Sequence, residues 1–316
     1  MTKKIIMGID TSNYTTSVAL MYSDGELIAN IKRPLEVKPG ERGLRQSDAV
    51  FSHIKNIPSA MQEARSFLDG RGIDAIGVSE RPRNVDGSYM PCFLSGVASA
   101  ESISASFGVP IYRFSHQCGH IMSALFSSGA EESITGRFGA FHISGGTTEL
   151  LIAERSESGF FCELVGGTKD LNAGQVIDRV GVSLGLPFPA GMHMEKLALE
   201  YDGKIKRRKP SVNNTYMNLS GLENMALDLY SKTNDKPATA AFVFNYIGES
   251  VIAVCEAFIK AYGDLPIVFA GGVMCNTTIK SMLEKRFNSF FASPMLSADN
   301  AVGIAELTRL SYINSK

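Results

Sequence analysis

Short apolar runs alternate along this chain with stretches of helical periodicity, the pattern of an α/β protein built in layers. Strands are predicted at Lys4–Asp10, Ser17–Tyr22, Leu27–Lys32, Ala75–Ser79, Phe138–Ser144, Glu149–Ala153, Phe161–Val165 and Ile267–Ala270. Helices are predicted around Ala49–Leu68, Phe93–Phe107, Gly119–Ser127, Gly174–Leu184, Thr239–Tyr262, Thr277–Phe287 and Asn300–Tyr312. Pro58 lies inside the first of these and predicts a kink there.

One pattern occurs twice. Residues 4–32 and residues 138–165 both run strand, small polar turn, strand, glycine hairpin, strand. Asp10 stands 15 residues before Gly25, and Ser144 stands 15 before Gly159. Two copies of one supersecondary unit imply a duplicated fold of two lobes. Their expected bounds are 1–112 and 113–298, with a C-terminal helix, 299–316, packing back on the first lobe.

Composition narrows the class. A chain of 316 residues with 44% hydrophobic and 20% charged positions is globular, which excludes disordered, collagen-like and coiled-coil proteins. A net charge of −1 leaves no global basic field, so any RNA contact has to be a local patch. The densest basic run, Lys204-Ile205-Lys206-Arg207-Arg208-Lys209, reads either as a solvated loop or as such a phosphate contact. Five widely spaced cysteines without a CxxC pair argue against a disulfide framework and a cysteine-caged zinc. The N-terminus reads as a first strand rather than a signal peptide, and no run approaches the roughly 18 apolar residues of a membrane span. A soluble cytoplasmic protein, with no membrane partner, is expected.

Each repeat places small residues in its first turn: Thr11-Ser12 in one, Gly145-Gly146-Thr147 in the other. Small residues let backbone N–H groups approach an anion. A third glycine turn, Gly271-Gly272, follows a buried apolar run and precedes a helix start near Asn276. This arrangement resembles the actin-like ATPase (ASKHA) fold, an α/β architecture of two duplicated lobes with mixed sheets and a nucleotide in the interlobe cleft. His116 and His120 stand at i and i+4, on one helical face, where they can share a metal. Gln117 follows the first histidine where an HExxH peptidase needs its glutamate base, which disfavours that chemistry. A third ligand has to be a carboxylate from elsewhere in the chain. Asp299 is the best candidate, and reads equally well as a helix N-cap.

The motifs HxxxH at 116–120, SGGTTEL at 144–150, GGTKDLNAGQVIDRVGVSLGLPFPAG at 166–191, GGVMCN at 271–276 and ADNAVGIA at 298–305 together resemble the TsaD family. This is the threonylcarbamoyl-transferring subunit of bacterial tRNA modification and of the KEOPS complex, formerly labelled O-sialoglycoprotein endopeptidase or glycoprotease. The resemblance implies an actin-like fold and an iron or zinc ion held by His116, His120 and Asp299. It implies threonylcarbamoyl-adenylate bound by His142, Ile143, Ser144, Gly145, Gly146, Asp178, Gly191 and Asn276, with Asp178 on the ribose and Asn276 on the base edge. The implied reaction is metal-dependent transfer of threonylcarbamoyl to the adenosine next to the anticodon of tRNAs reading ANN codons. TsaB- and TsaE-like subunits are the implied partners.

Departures from the family pattern mark this chain. Tyr14 and Thr15 stand where acidic residues are usual, Thr147 replaces a histidine, and 170–175 reads DLNAGQ for DDAAGE. The glycine-rich GPG loop is replaced by Glu80–Met90. A divergent paralogue is one consequence, acting as an actin-fold ATPase or kinase, or as a carbamoyltransferase on a non-tRNA acceptor. A non-catalytic partner subunit is a third reading, which the retained ligand set disfavours.

Overall fold

A computed structural model describes residues 3–12, 14–36, 44–156, 159–205, 207–297 and 300–315. The chain divides into two units by its internal contacts: Met1–Ser133, Arg155–Phe161 and Met295–Lys316 in the first, Ile134–Glu154 and Cys162–Pro294 in the second. Residues 113–133 therefore fall in the first unit, whereas the sequence reading assigned them to the second.

The first unit opens with β1 (Ile5–Asp10), β2 (Thr15–Tyr22) and β3 (Leu27–Pro34), followed by α1 (Gln46–Ser66), β4 (Ala75–Arg81), α2 (Phe93–Phe107), β5 (Ile111–Ser115) and α3 (His116–Ser128). Its sheet has the order β3-β2-β1-β4-β5. β2 pairs antiparallel with both β1 and β3, and the β1-β4 and β4-β5 pairs are parallel. All six residues of β1 are buried, because helices cover both faces. Val18 and Leu20 join the cluster under α1 and α2, while Ala19 and Met21 face Ala301, Val302 and Ala305. The C-terminal helix Val302–Asn314 lies very close to this second face. A Cβ on Gly8 would sit 2.5 Å from the Ala305 nitrogen, and one on Gly77 would meet the Thr308 hydroxyl. α1 continues through Pro58 as one 21-residue helix.

The C-terminal helix Val302–Asn314 carries a buried ion cluster. Glu306 is fully buried and accepts from the Arg309 guanidinium, whose far nitrogen lies 3.6 Å from Glu131. Burial, reinforced by Glu131, pushes the Glu306 carboxyl up to about 7 against the pull of Arg309. The folded state thus holds this proton more tightly than the unfolded chain does. Its stabilising contribution is complete below the unfolded value and is lost as pH rises through about 7. Glu306→Gln fixes the neutral form, so between about pH 5 and pH 8 wild-type thermal stability should fall relative to the variant. Parallel melting curves check this, and a constant difference across that range overturns it.

The second unit contains β6 (Phe138–Ile143), β7 (Thr148–Ser156), β8 (Gly159–Thr168), α4 (Ala173–Ser183), α5 (Gly191–Leu199), β9 (Val212–Asn213), β10 (Tyr216–Met217), α6 (Ser220–Thr233), α7 (Lys236–Tyr262), β11 (Ile267–Ala270), α8 (Thr277–Glu284) and β12 (Ser289–Phe291). The tip of the β7-β8 hairpin belongs to the first unit. The sheet order is β12-β11-β6-β7-β8-β10-β9. Its segment β8-β7-β6-β11-β12 repeats the first unit's β3-β2-β1-β4-β5, with an antiparallel β6-β7 pair and parallel β6-β11 and β11-β12 pairs. The echo in the sequence is thus a structural duplication.

α7 corrects one expectation. It is long and apolar enough to cross a membrane, yet 67% of its most apolar window is buried inside the protein. Val243, Ile247, Val251 and Val254 enter the second unit's core alongside Phe141 and Phe269, the packing of a central helix in a globular domain.

Candidate metal and nucleotide site

In the first unit, β5 runs directly into α3. Ser115 caps that helix, its hydroxyl accepting from Cys118 N at 3.2 Å. His116 is therefore the first helical residue, three positions earlier than the sequence predicts, and His120 follows one turn later. Their ring centroids are 4.3 Å apart at 84°, edge against face. His120 is buried and His116 is partly open. Asp10, at the end of β1, reaches the pair: its Oδ2 lies 2.7 Å from His116 Nδ1, and its Oδ1 accepts from Ser12 N at 2.7 Å. The turn after β1 is fixed in turn by Thr11, whose hydroxyl donates to Cys92 O and accepts from Gly96 N at the start of α2. Nothing in a separation of 106 residues announces the Asp10–His116 contact.

Two adjacent imidazoles fit the nitrogen part of a two-histidine, one-carboxylate donor set. Asp299 lies outside the described residues, as do Asn13 and Lys206. Among the described residues, no three histidine, cysteine, aspartate or glutamate side chains are gathered as metal ligands. One residue after Asp299 in the sequence, Asn300 accepts from Ser123 on α3 at 3.1 Å, and Ser123 also receives Gly303 N at 3.0 Å.

The nucleotide candidates all lie in the second unit. Residues 144–147 form the tight turn between β6 and β7, closed by Ser144 N to Thr147 O at 2.8 Å, with Gly145 and Gly146 exposed. α4 begins against this turn: Ala173 N donates to Thr148 Oγ1 at 3.0 Å, and a Cβ on Gly174 would sit 2.6 Å from Gly145 Cα. A capping box of Asn172 and Gln175 starts the helix. One turn on, Asp178 accepts from Ala190 N at 2.7 Å, beside Gly191 at the head of α5. Burial raises the Asp178 carboxyl above the usual carboxylate range, partly countered by that hydrogen bond.

Gly271 packs the third turn against the end of β6, where the 144–147 turn begins. Its φ of +96° is open to glycine at little cost, and a Cβ there would lie 2.2 Å from the Ile143 carbonyl oxygen. Past a short 3₁₀ turn, Gly272–Cys275, Asn276 caps α8 by accepting from Ile279 N at 3.0 Å. Its side-chain Nδ2 is buried with no hydrogen-bond partner. Capping through Oδ1 leaves both amide hydrogens of Nδ2 without a protein partner. Glu195 on α5, absent from the sequence reading, accepts from both the backbone and hydroxyl of Thr277 at 2.7 and 2.8 Å. Contacts therefore link β6, Gly271, Asn276, Thr277, Glu195 and Gly191 in sequence. The expected residues His142–Gly146, Asp178, Gly191 and Asn276 all belong to this connected neighbourhood.

A separate groove of about 1120 Å³ in the same unit is lined by Lys169, Lys209, Tyr216, Lys260 and Arg286 among others, and by none of these residues. It receives the end of the basic run, whose described charged members are exposed.

Duplicated sheets with turns of small residues after their first strands define a protein of the actin-like ATPase fold. Component A of the (R)-2-hydroxyglutaryl-CoA dehydratase of Acidaminococcus fermentans superposes with a TM-score of 0.60 at 16% identity, covering 99% of this chain and 100% of that one. A ROK family glucokinase from Streptomyces griseus superposes at 0.53 with 13% identity, covering 96% and 99%. A profile described as TsaD, tRNA N6-adenosine threonylcarbamoyltransferase, matches residues 27–306. The tRNA N6-adenosine threonylcarbamoyltransferase of Bacillus licheniformis is 30% identical, covering 97% of this chain and 92% of that protein. The chain belongs to the TsaD family, a family of transferase enzymes.

Proposed function

We propose that this chain transfers threonylcarbamoyl from threonylcarbamoyl-adenylate to the adenosine next to the anticodon of tRNAs reading ANN codons, in a metal-dependent reaction. The family match across residues 27–306 carries this reading. The connected neighbourhood around the 144–147 turn supports it. In this reading the exposed Gly145-Gly146 backbone receives the adenylate phosphate. Asp178 Oδ2 meets a ribose hydroxyl, since Oδ1 is taken by Ala190 N. Asn276 Nδ2 donates to the base edge, and Glu195 holds the segment that carries it.

His116, His120 and Asp299 would hold an iron or zinc ion, which when bound supplies Lewis-acid polarisation of the carbamoyl group. Around it Asp10 orients His116, and the packing of α3 on the C-terminal helix fixes both imidazoles in one frame. The reading sets the reaction in the cytoplasm with TsaB- and TsaE-like partner subunits.

Expression in cells depleted of their housekeeping transferase is the test, read by nucleoside mass spectrometry of ANN-decoding tRNAs. Restored threonylcarbamoyladenosine is the expected result. Unmodified tRNA, with the protein present, folded and accompanied by its partner subunits, sinks the tRNA assignment and leaves the fold intact.

A further inference from the structure

We infer that Asp10 is a positioning residue which fixes the tautomer of His116 and thereby aims the Nε2 lone pair at the metal. The inference rests on the reading of His116 and His120 as ligands and goes beyond it, since Asp10 is not one of the three assigned ligands. Asp10 is 1% exposed, so little water reaches its carboxylate. Its two oxygens have separate duties: Oδ1 takes the Ser12 backbone N–H and Oδ2 faces His116 Nδ1, each at 2.7 Å. An ionised carboxylate only accepts hydrogen bonds. His116 Nδ1 therefore carries the hydrogen, and in the neutral ring Nε2 is left with its lone pair. Carboxylates behind metal-bound histidines orient the ring and raise its basicity in this way.

The Ser12 N–H makes the consequence specific. In Asp10→Asn the backbone donor keeps the amide oxygen at the Oδ1 position. The amide nitrogen then falls opposite His116 Nδ1 and donates to it. His116 is forced into the opposite tautomer, with hydrogen on Nε2, where no metal can bind without its removal. An isosteric change thus reverses the polarity of the contact while keeping its shape, as an Asp-to-Asn change does in the serine protease triad.

The experiment uses full-length protein. Long-range proton–nitrogen NMR correlation of the metal-free form at alkaline pH reads the tautomer, with His116→Gln assigning the resonance. Chelator competition reads zinc affinity. The expected results are Nδ1–H in wild type, Nε2–H in Asp10→Asn, and zinc bound about 10–100-fold more weakly by the variant. An Nε2–H ring in wild type overturns the inference, and this reading stands alone if Asp10→Asn does not fold. An unchanged tautomer in Asp10→Asn overturns it too, whether or not affinity drops, because Asp10 would then act by another route. Wild-type affinity in the variant likewise overturns it. Wild-type protein that takes up no zinc overturns the metal reading, a failure registered separately from the metal-free spectrum.

Discussion

His116→Ala/His120→Ala protein is expected to purify with no transition metal above background, against about one equivalent in wild type. Its threonylcarbamoyl transfer should fall on the order of 10³-fold or more, the rate equivalent of several kcal/mol of lost Lewis-acid stabilisation. The argument starts at the end of β5, where Ser115 turns the chain into α3 and makes His116 and His120 the first residues of successive turns. Their ring centroids are 4.3 Å apart, so the two imidazoles would be near enough to hold one ion together. Removing both rings also takes away the group facing Asp10 Oδ2, a nearly inaccessible carboxylate, and destabilisation is expected on that account. His120→Ala alone separates the two effects, because it keeps the Asp10 contact while removing one ligand. Metal analysis and circular dichroism on all three proteins decide the matter. Unchanged metal content in a folded double variant would falsify the site.

Gly303→Ala is expected to cost about 3 kcal/mol of stability, at the upper end for overpacking by one methyl group. The new Cβ would lie 1.9 Å from the Gly119 carbonyl oxygen and 2.7 Å from the Ser123 hydroxyl. Helix backbone cannot yield as a flexible side chain does. Relief requires α3 and the C-terminal helix to part, and parting breaks the Gly303 N to Ser123 Oγ bond. Because α3 carries both histidines, metal affinity should weaken along with stability. Urea titration measures the first and chelator competition the second. A loss below about 1 kcal/mol would mean that the two helices separate easily.

Elements with strong periodicity were legible in the sequence, and so was the duplication, because the two copies share the spacing from first turn to hairpin glycine. β5, β9, β10 and β12 escaped. They are two to five residues long, too short for alternation to register, and the first carries Arg113 in mid-strand. α5 and α6 escaped for another reason: glycine, proline and polar residues crowd their approaches, and turn signals masked the helices behind them. Motif residues such as His116, Asp178 and Asn276 could be named because each sits in a local pattern. Asp10 against His116 and Glu195 against Thr277 could not, because folding alone brings those segments together.

The seating of the C-terminal helix on Gly8 and Gly77 also sets an order of assembly. Ribosomes deliver β1 first and Val302–Asn314 nearly 300 residues later, yet the two belong to one sheet face. Throughout most of synthesis Ala19 and Met21 have no helix above them, and every described segment of the second unit is made before that helix. The half of the protein made first is therefore the half finished last. A chain interrupted before residue 302 would carry a bare apolar sheet face, the kind of surface by which chaperones and proteases recognise unfinished protein.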